Sequence, residues 1–110
     1  MPKQAEVQAG MPDLQSRIKL CRIARGQREL LGFADLTIGG AFVIKDICIV
    51  RVLREGEEAG EPFVAFPSKK GTGAGEGKYF DVAHPITAEA RQKAMEVILS
   101  AYYEAERSAT

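Results

Sequence analysis

The sequence predicts an α+β domain, in which a C-terminal α-helix packs on a twisted, mostly antiparallel β-sheet of about five strands. The first half of the chain alternates apolar and polar residues as half-exposed strands do, and glycine and proline separate these runs. The last quarter changes to the three- and four-residue apolar spacing of a helix. Because several strands precede one helix, that helix has only the sheet to pack against.

Two strands joined by a tight turn are predicted to come first. Ile18 and Leu20 alternate with charged neighbours, which is the period of a strand with one face in solvent. Residues 25–27, Arg-Gly-Gln, have the composition of a turn, and the apolar pattern resumes over residues 30–38. The chain is therefore expected to begin as a β-meander.

The third strand is predicted over residues 41–52, the longest β-branched run in the chain. Gly39 and Gly40 precede it and supply the positive φ angles that a tight hairpin needs. Its apolar residues fall on both faces, which indicates a central strand or one buried in a dimer, although Asp46 interrupts the run.

Shorter elements are predicted after the third strand. A charged loop over residues 54–61 leads to a short strand over residues 63–66, which Pro67 terminates. Residues 68–77 are predicted as a glycine-rich loop, and residues 79–83 as one more short strand at an edge.

The helix is predicted to begin after Thr87, a good N-cap residue, with Glu89 in the first turn where the helix dipole favours a carboxylate. Seven apolar residues then recur at helical spacing and form one stripe that should face the sheet. They are Ala90, Ala94, Val97, Ile98, Ala101, Tyr102 and Ala105.

The chain has the size of one domain, and its N-terminal part looks different from the rest. Residues 1–15 are polar and show no apolar period, so we expect a flexible extension followed by a single domain over residues 16–110. No apolar run is long enough to cross a bilayer, and the first ten residues lack the apolar core of a signal peptide. We therefore expect a cytoplasmic protein without a membrane partner, with Cys21 and Cys48 as thiols.

Charge and motifs argue against several classes of function. The formal net charge is zero, so the protein should not coat nucleic acid by bulk electrostatics, yet residues 17–28 carry five basic and no acidic side chains. The glycine loop, residues 71–78, departs from a Walker A loop at Thr72 and Tyr79 and precedes a strand rather than a helix. We interpret it as a hairpin connection and expect no bound nucleotide.

The only histidine, His84, lies three residues after Asp81, which is too few ligands for a zinc site. We interpret His84 and Pro85 as residues that set the start of the helix. No serine or cysteine lies in a recognised nucleophile motif. The sequence thus predicts no catalytic residue, no metal, no cofactor and no small-molecule substrate, and hence not an enzyme.

Three motifs resemble the stage V sporulation protein G family of bacterial septation and sporulation regulators. They are FVIKDI at residues 42–47, the PSK turn at residues 67–69 and DVAHPI at residues 81–86, and the resemblance extends over residues 16–107. It implies a site-specific DNA- or RNA-binding regulator of gene expression. It also implies a homodimer formed through the sheet.

The strongest candidates for nucleic-acid contact are Lys69 and Lys70, which should project from the rim of the sheet after Pro67 and Ser68. The family carries a basic pair here, normally lysine followed by arginine, so Lys70 keeps the charge but loses the planar fork that reads guanine. Four further candidates are weaker. Two match basic first-strand positions of the family and two lie beside the third strand: Lys19, Arg22, Arg51 and Arg54.

A second function stays open. Cys21 and Phe80 stand where the family often has arginine, so two positive charges are missing. Together with the zero net charge, this favours an interaction module that docks on cell-division proteins without nucleic acid. Lys69, Lys70 and the acid-free first strand favour the regulator. Binding-site selection on DNA and RNA would separate the two.

Overall fold

The fold is taken from a computed structural model that describes residues 11–54, 56, 58 and 60–109. The first four strands form one antiparallel sheet in chain order, and the last two form a separate two-stranded sheet. The strands are β1 (Leu14–Arg25), β2 (Arg28–Ile38), β3 (Phe42–Val52), β4 (Phe63–Ala65), β5 (Ser68–Lys70) and β6 (Tyr79–Asp81); a 3₁₀ turn covers Gly73–Gly75 and helix α1 covers Ala88–Ala109. The predicted α+β class is confirmed.

The turns between the long strands lie at the predicted glycines. Gly26 has a φ of 57° between β1 and β2, and Gly39 and Gly40 have φ values of 62° and 68° between β2 and β3. The Ala41 amide closes this second turn by donating to the Ile38 carbonyl over 3.1 Å. Glycine reaches this left-handed region at little cost, which is why the chain reverses at these points.

A β-bulge accounts for the polar residue inside the third strand. Leu36 lies opposite Ile44 and Ala34 lies opposite Ile47, so a single β2 residue faces both Lys45 and Asp46. Asp46 adopts a positive φ of 62°, which aspartate tolerates better than β-branched residues do. The strand lies between β2 and β4. It is therefore central in the sheet, which was one of the two predicted alternatives.

The core lies between the sheet and the helix. Ile98 of α1 has no solvent exposure, and neither do Ile47 and Ile49 of β3. The other buried apolar residues are Leu31, Ala34 and Leu36 from β2 and Ala94 and Tyr102 from α1. The helical members are spaced by four residues, so the predicted stripe is confirmed as the face that packs on the sheet.

The start of the helix follows the predicted capping. The Thr87 hydroxyl accepts a hydrogen bond from the Ala90 amide at 3.0 Å, and Glu89 lies in the first turn. A capping side chain of this kind stabilises a helix by about 1 kcal/mol. No helix in the described part of the chain is long and apolar enough to cross a membrane.

The boundaries differ from the predicted ones in three places. Strand β1 begins at Leu14, whereas residues 1–10 of the predicted extension lie outside the described residues. Residues 68–70, predicted as loop, form β5. Strand β6 pairs with β5 and not with the edge of the large sheet. The last two differences arise because β5 and β6 meet across the glycine loop, and pairing of that kind leaves no periodic pattern in three residues.

Candidate nucleic-acid interface

Strands β5 and β6 form a small hairpin, hereafter the basic hairpin, outside the helix-covered core. Lys69 lies opposite Phe80 and Lys70 lies opposite Tyr79, and all six strand residues are exposed. The Val82 amide continues the ladder at its base by donating to the Pro67 carbonyl over 2.9 Å. The hairpin therefore continues directly from the chain that leaves β4.

The glycine loop at the tip is a folded connection. The Gly71 amide donates to the Lys78 carbonyl at 2.8 Å, which closes the loop around the 3₁₀ turn. A side chain at Gly71 would overlap the Gly75 carbonyl and the Phe80 ring, and one at Gly75 would press on the same ring. Phe80 thus covers the backbone of both glycines and has a structural use in the loop.

His84 connects the base of the basic hairpin to the helix. Its Nε2 lies 3.3 Å from Asp81 Oδ2, and its Nδ1 lies 2.9 Å from the Pro85 carbonyl oxygen. Among the described residues, no cysteine or further carboxylate joins His84 and Asp81 to make a group of three that could bind a metal. These contacts lie directly before the Thr87 cap, and the interpretation that His84 and Pro85 set the start of the helix stays a prediction.

The two leading candidates, Lys69 and Lys70, lie on the basic hairpin and not on the rim of the large sheet. Both are exposed, and within residues 11–54 and 60–109 neither forms an ion pair. Lys78, exposed and directly before β6, adds a third cation that the sequence reasoning did not select. Lys78 could have been selected from the sequence because it directly precedes a predicted strand.

Lys19 lies elsewhere, on the side of the large sheet opposite the helix, hereafter the uncovered face. Its neighbour Ile18 packs toward the core, so Lys19 points away from it, beside Arg17 and Phe33. Asp35 lies opposite Arg17 and also pairs with Lys45 at 3.6 Å, so this surface has mixed charge. The sequence reasoning missed Arg17 as well as Arg25 and Arg28, which face each other at the end of the first hairpin.

Arg22 and Arg51 are paired with carboxylates. Arg51 Nε donates to Glu29 Oε1 at 2.6 Å, and Glu29 is only 8% exposed. Arg22 lies 3.4 Å from Glu106 of the helix. Removing Arg51 from Glu29 to bind a phosphate would leave a buried charge uncompensated, which is costly.

The two arginine–carboxylate pairs lie on the helix side of the sheet and are hereafter called the helix-side polar cluster. Tyr102 belongs to it, since its hydroxyl donates a hydrogen bond to Glu106 at 2.9 Å. Burial, and then the hydrogen bond to Glu106, raise the pKa of Tyr102 to about 12. The last candidate, Arg54, is exposed just after β3. The six predicted residues are thus divided among the basic hairpin, the uncovered face, the helix-side polar cluster and the loop after β3.

The two cysteines are free thiols and both are half-buried. Burial, and secondarily the charge of Asp46, raise the pKa of the Cys48 thiol, which lowers its reactivity at neutral pH. Neither residue contributes to the basic hairpin. They lie in the sheet, Cys21 in β1 and Cys48 in β3.

Comparison with known proteins identifies the family of the chain. The model of the SpoVG family matches residues 14–104, which takes in the large sheet, the basic hairpin and most of the helix. A protein of Lachnospira eligens is 34% identical over 81% of this chain and 90% of its own length. One of Heliobacterium modesticaldum is 38% identical over 74% and 81%, and one of Clostridioides difficile 41% identical over 64% and 67%. All three carry the name of the septation protein SpoVG, and the chain described here belongs to the SpoVG family.

Proposed function

We propose that the protein is a sequence-preferring DNA- or RNA-binding regulator of gene expression that acts in the cytoplasm in septation and sporulation. The observation that supports this best is the basic hairpin. It presents Lys69, Lys70 and Lys78 on exposed backbone that is closed at both ends by hydrogen bonds and lies outside the core. On this proposal the protein regulates gene expression by binding nucleic acid and not by catalysing a reaction.

The electrostatics favour a localised contact. Because the whole chain has zero net charge, affinity must come from a few lysines that neutralise phosphates and release their counterions. Lysine acts as a point charge, whereas arginine forms bidentate contacts with guanine. With Lys70 in place of arginine, phosphate contact should contribute more to binding than base reading does.

We also propose that the protein acts as a homodimer. Phe42 is 74% exposed at the start of β3, next to the half-exposed Val43. Exposed apolar groups that lie together commonly mark interfaces. A dimer would carry two copies of the basic hairpin. Once one copy is bound, the second copy would contact the same nucleic acid at a high effective concentration, which raises the overall affinity.

Equilibrium sedimentation at micromolar protein concentration tests the homodimer. A monomer of 12.0 kDa would contradict the proposal, and Phe42→Lys should weaken a genuine dimer.

The test of nucleic-acid binding is the salt dependence of affinity. Replacing Lys69 and Lys70 with alanine should weaken binding and reduce the salt slope, by about 0.9 per lost phosphate contact on duplex DNA or about 0.7 on single strands. The matched control replaces Arg91 and Lys93, two exposed cations of the helix, which should leave the slope unchanged. Equal slopes for wild type and the hairpin variant would remove the two lysines from the site.

A second candidate function is docking on cell-division proteins without nucleic acid. It is favoured by the apolar residues at one end of the molecule, where Ile86 is 87% exposed beside a groove lined by Ile38, Ile44 and Phe66. On this hypothesis the wild type would show no salt-dependent nucleic-acid binding. Capture of a division protein would then be indifferent to Lys69 and Lys70.

A further inference from the structure

The two aromatic residues of the basic hairpin have different surroundings. Directly opposed residues of an antiparallel pair share a face, and successive residues alternate between faces. Tyr79 therefore shares one face with Lys70, and Phe80 shares the other with Lys69. The hairpin thus has two sides, each with one aromatic ring and one lysine.

Only one of these rings is used to hold the hairpin together. Phe80 lies over the backbone of Gly71 and Gly75 and is 46% exposed. Tyr79 is 70% exposed, and no hydrogen bond or ring contact to it is found among the described residues. A large ring held in solvent on a closed hairpin does not contribute to its packing.

The groups around Tyr79 suit a nucleotide. A ring face stacks on a base of any type, and a lysine nearby can reach the adjoining phosphate. Lys70 lies directly across the hairpin on the same face as Tyr79, where Cβ atoms are about 5 Å apart. In a duplex the base faces are already stacked on each other, so only an unpaired base can use this ring.

We propose that Tyr79 is a stacking platform for an unpaired base, so that the basic hairpin prefers single-stranded nucleic acid over duplex. This inference rests on the proposed function, since it specifies the class of nucleic acid that the same site binds. Stacking supplies the base contact, and Lys70 holds the adjoining phosphate. Phe80 acts in the loop packing and is not part of the platform.

The experiment compares the affinity of Tyr79→Leu with that of wild type by fluorescence anisotropy. The labelled probes are single strands of oligothymidine and oligouridine. Each has about 12 nucleotides, which is within the length that one small binding fold covers. Leucine keeps an apolar side chain but cannot stack, so affinity should fall about 5- to 150-fold, the loss typical of one stacked base. Tyr79→Phe should retain binding within about two-fold, because the ring face is kept. Tyr103→Leu, at an exposed tyrosine of the helix, is the matched control and should leave affinity unchanged.

Two further probes separate stacking from charge. A strand of the same length with abasic sites, and a duplex of the same length, should bind wild type and Tyr79→Leu equally, because neither offers a free base face. Equal affinity of Tyr79→Leu and wild type for the base-carrying single strands would overturn the inference, as would an equal loss on those strands, the abasic strand and the duplex. If wild type binds none of the probes in a salt-dependent way, the proposed function fails and this inference with it. Circular dichroism melting should show both tyrosine variants as stable as wild type.

Discussion

The helix-covered sheet and the basic hairpin are built in opposite ways. In the sheet, eight apolar residues from β2, β3 and α1 are at most 3% exposed and contact one another across two layers. In the hairpin every strand residue is exposed, and the structure is held by backbone hydrogen bonds and by one phenylalanine over two glycines. Truncation of a buried residue in the first region should destabilise the whole fold, whereas the exposed lysines of the second can be replaced at little cost in stability.

This difference separates the residues that stabilise the fold from those of the proposed binding site. Burial of apolar surface provides most of the folding free energy, and the hairpin contributes little of it. Exposed cations on a strand of three residues cost the fold almost nothing, because they keep their hydration. Substitutions in the two regions should therefore give opposite results in unfolding and binding experiments, and four predictions test that separation.

The largest effect on stability is expected for Ile98→Ala. The side chain has no exposure, so truncation should remove about 3–5 kcal/mol of unfolding free energy through lost burial and a residual cavity. Ile86→Ala is the matched control, because Ile86 is 87% exposed and should change stability by less than about 0.5 kcal/mol. Urea denaturation measures both. Equal losses for the two variants would mean that the helix does not pack as described.

The next effect concerns the paired arginine. Arg51→Met keeps much of the apolar stem but leaves Glu29, which is almost buried, without its partner. Stability at neutral pH should fall by about 2–3 kcal/mol, somewhat less than for a fully buried pair, because Arg51 is partly exposed. The control Arg25→Met removes an exposed cation and should be near neutral. An unchanged denaturation midpoint for Arg51→Met would restore Arg51 as a candidate for nucleic-acid contact.

A third prediction tests whether the hairpin can be disturbed by itself. In Gly71→Ala the new methyl group would overlap the Gly75 carbonyl and Phe80, so the loop must shift. Hydrogen exchange of the Lys78 amide, which donates to the Gly75 carbonyl, should accelerate, while global stability changes by less than about 1 kcal/mol. Gly60→Ala, where the added carbon would make ordinary contacts, is the control. Global unfolding in Gly71→Ala would show that the two regions are not separable.

The smallest effect is expected from Tyr102. Its pKa of about 12 lies above the usual value near 10, so the folded state favours the neutral phenol. The stabilisation is complete below pH of about 10 and is lost as the pH rises through about 12. Tyr102→Phe should therefore flatten the alkaline decrease in stability. An ultraviolet titration of wild type and of Tyr102→Phe should assign an ionisation near pH 12 to Tyr102, and identical titration curves for the two proteins over that range would contradict the buried hydrogen bond to Glu106.

Much of the candidate site was accessible to sequence reasoning, but its arrangement was not. The lysine pair could be selected because it follows Pro67 and Ser68 in a family motif. Arg51 could not be judged, because its partner Glu29 lies 22 residues earlier and meets it only through the register of β2 and β3. Tyr79 and Phe80 are neighbours with similar rings, so the sequence does not show which ring packs on the glycine loop. The structure shows that it is Phe80.

The sequence by itself determined the α+β class, the turns at the glycines, the helix cap at Thr87 and the apolar stripe, because each depends on local backbone preference or on a periodic pattern. Tertiary structure alone decided which charges are neutralised and where the basic hairpin lies. Cross-strand register and the pairing of β5 with β6 are long-range contacts, selected by the free energy of the whole chain. For this reason the fold could be predicted from the sequence, whereas telling the cations that pair with carboxylates from those on the exposed hairpin required the structure.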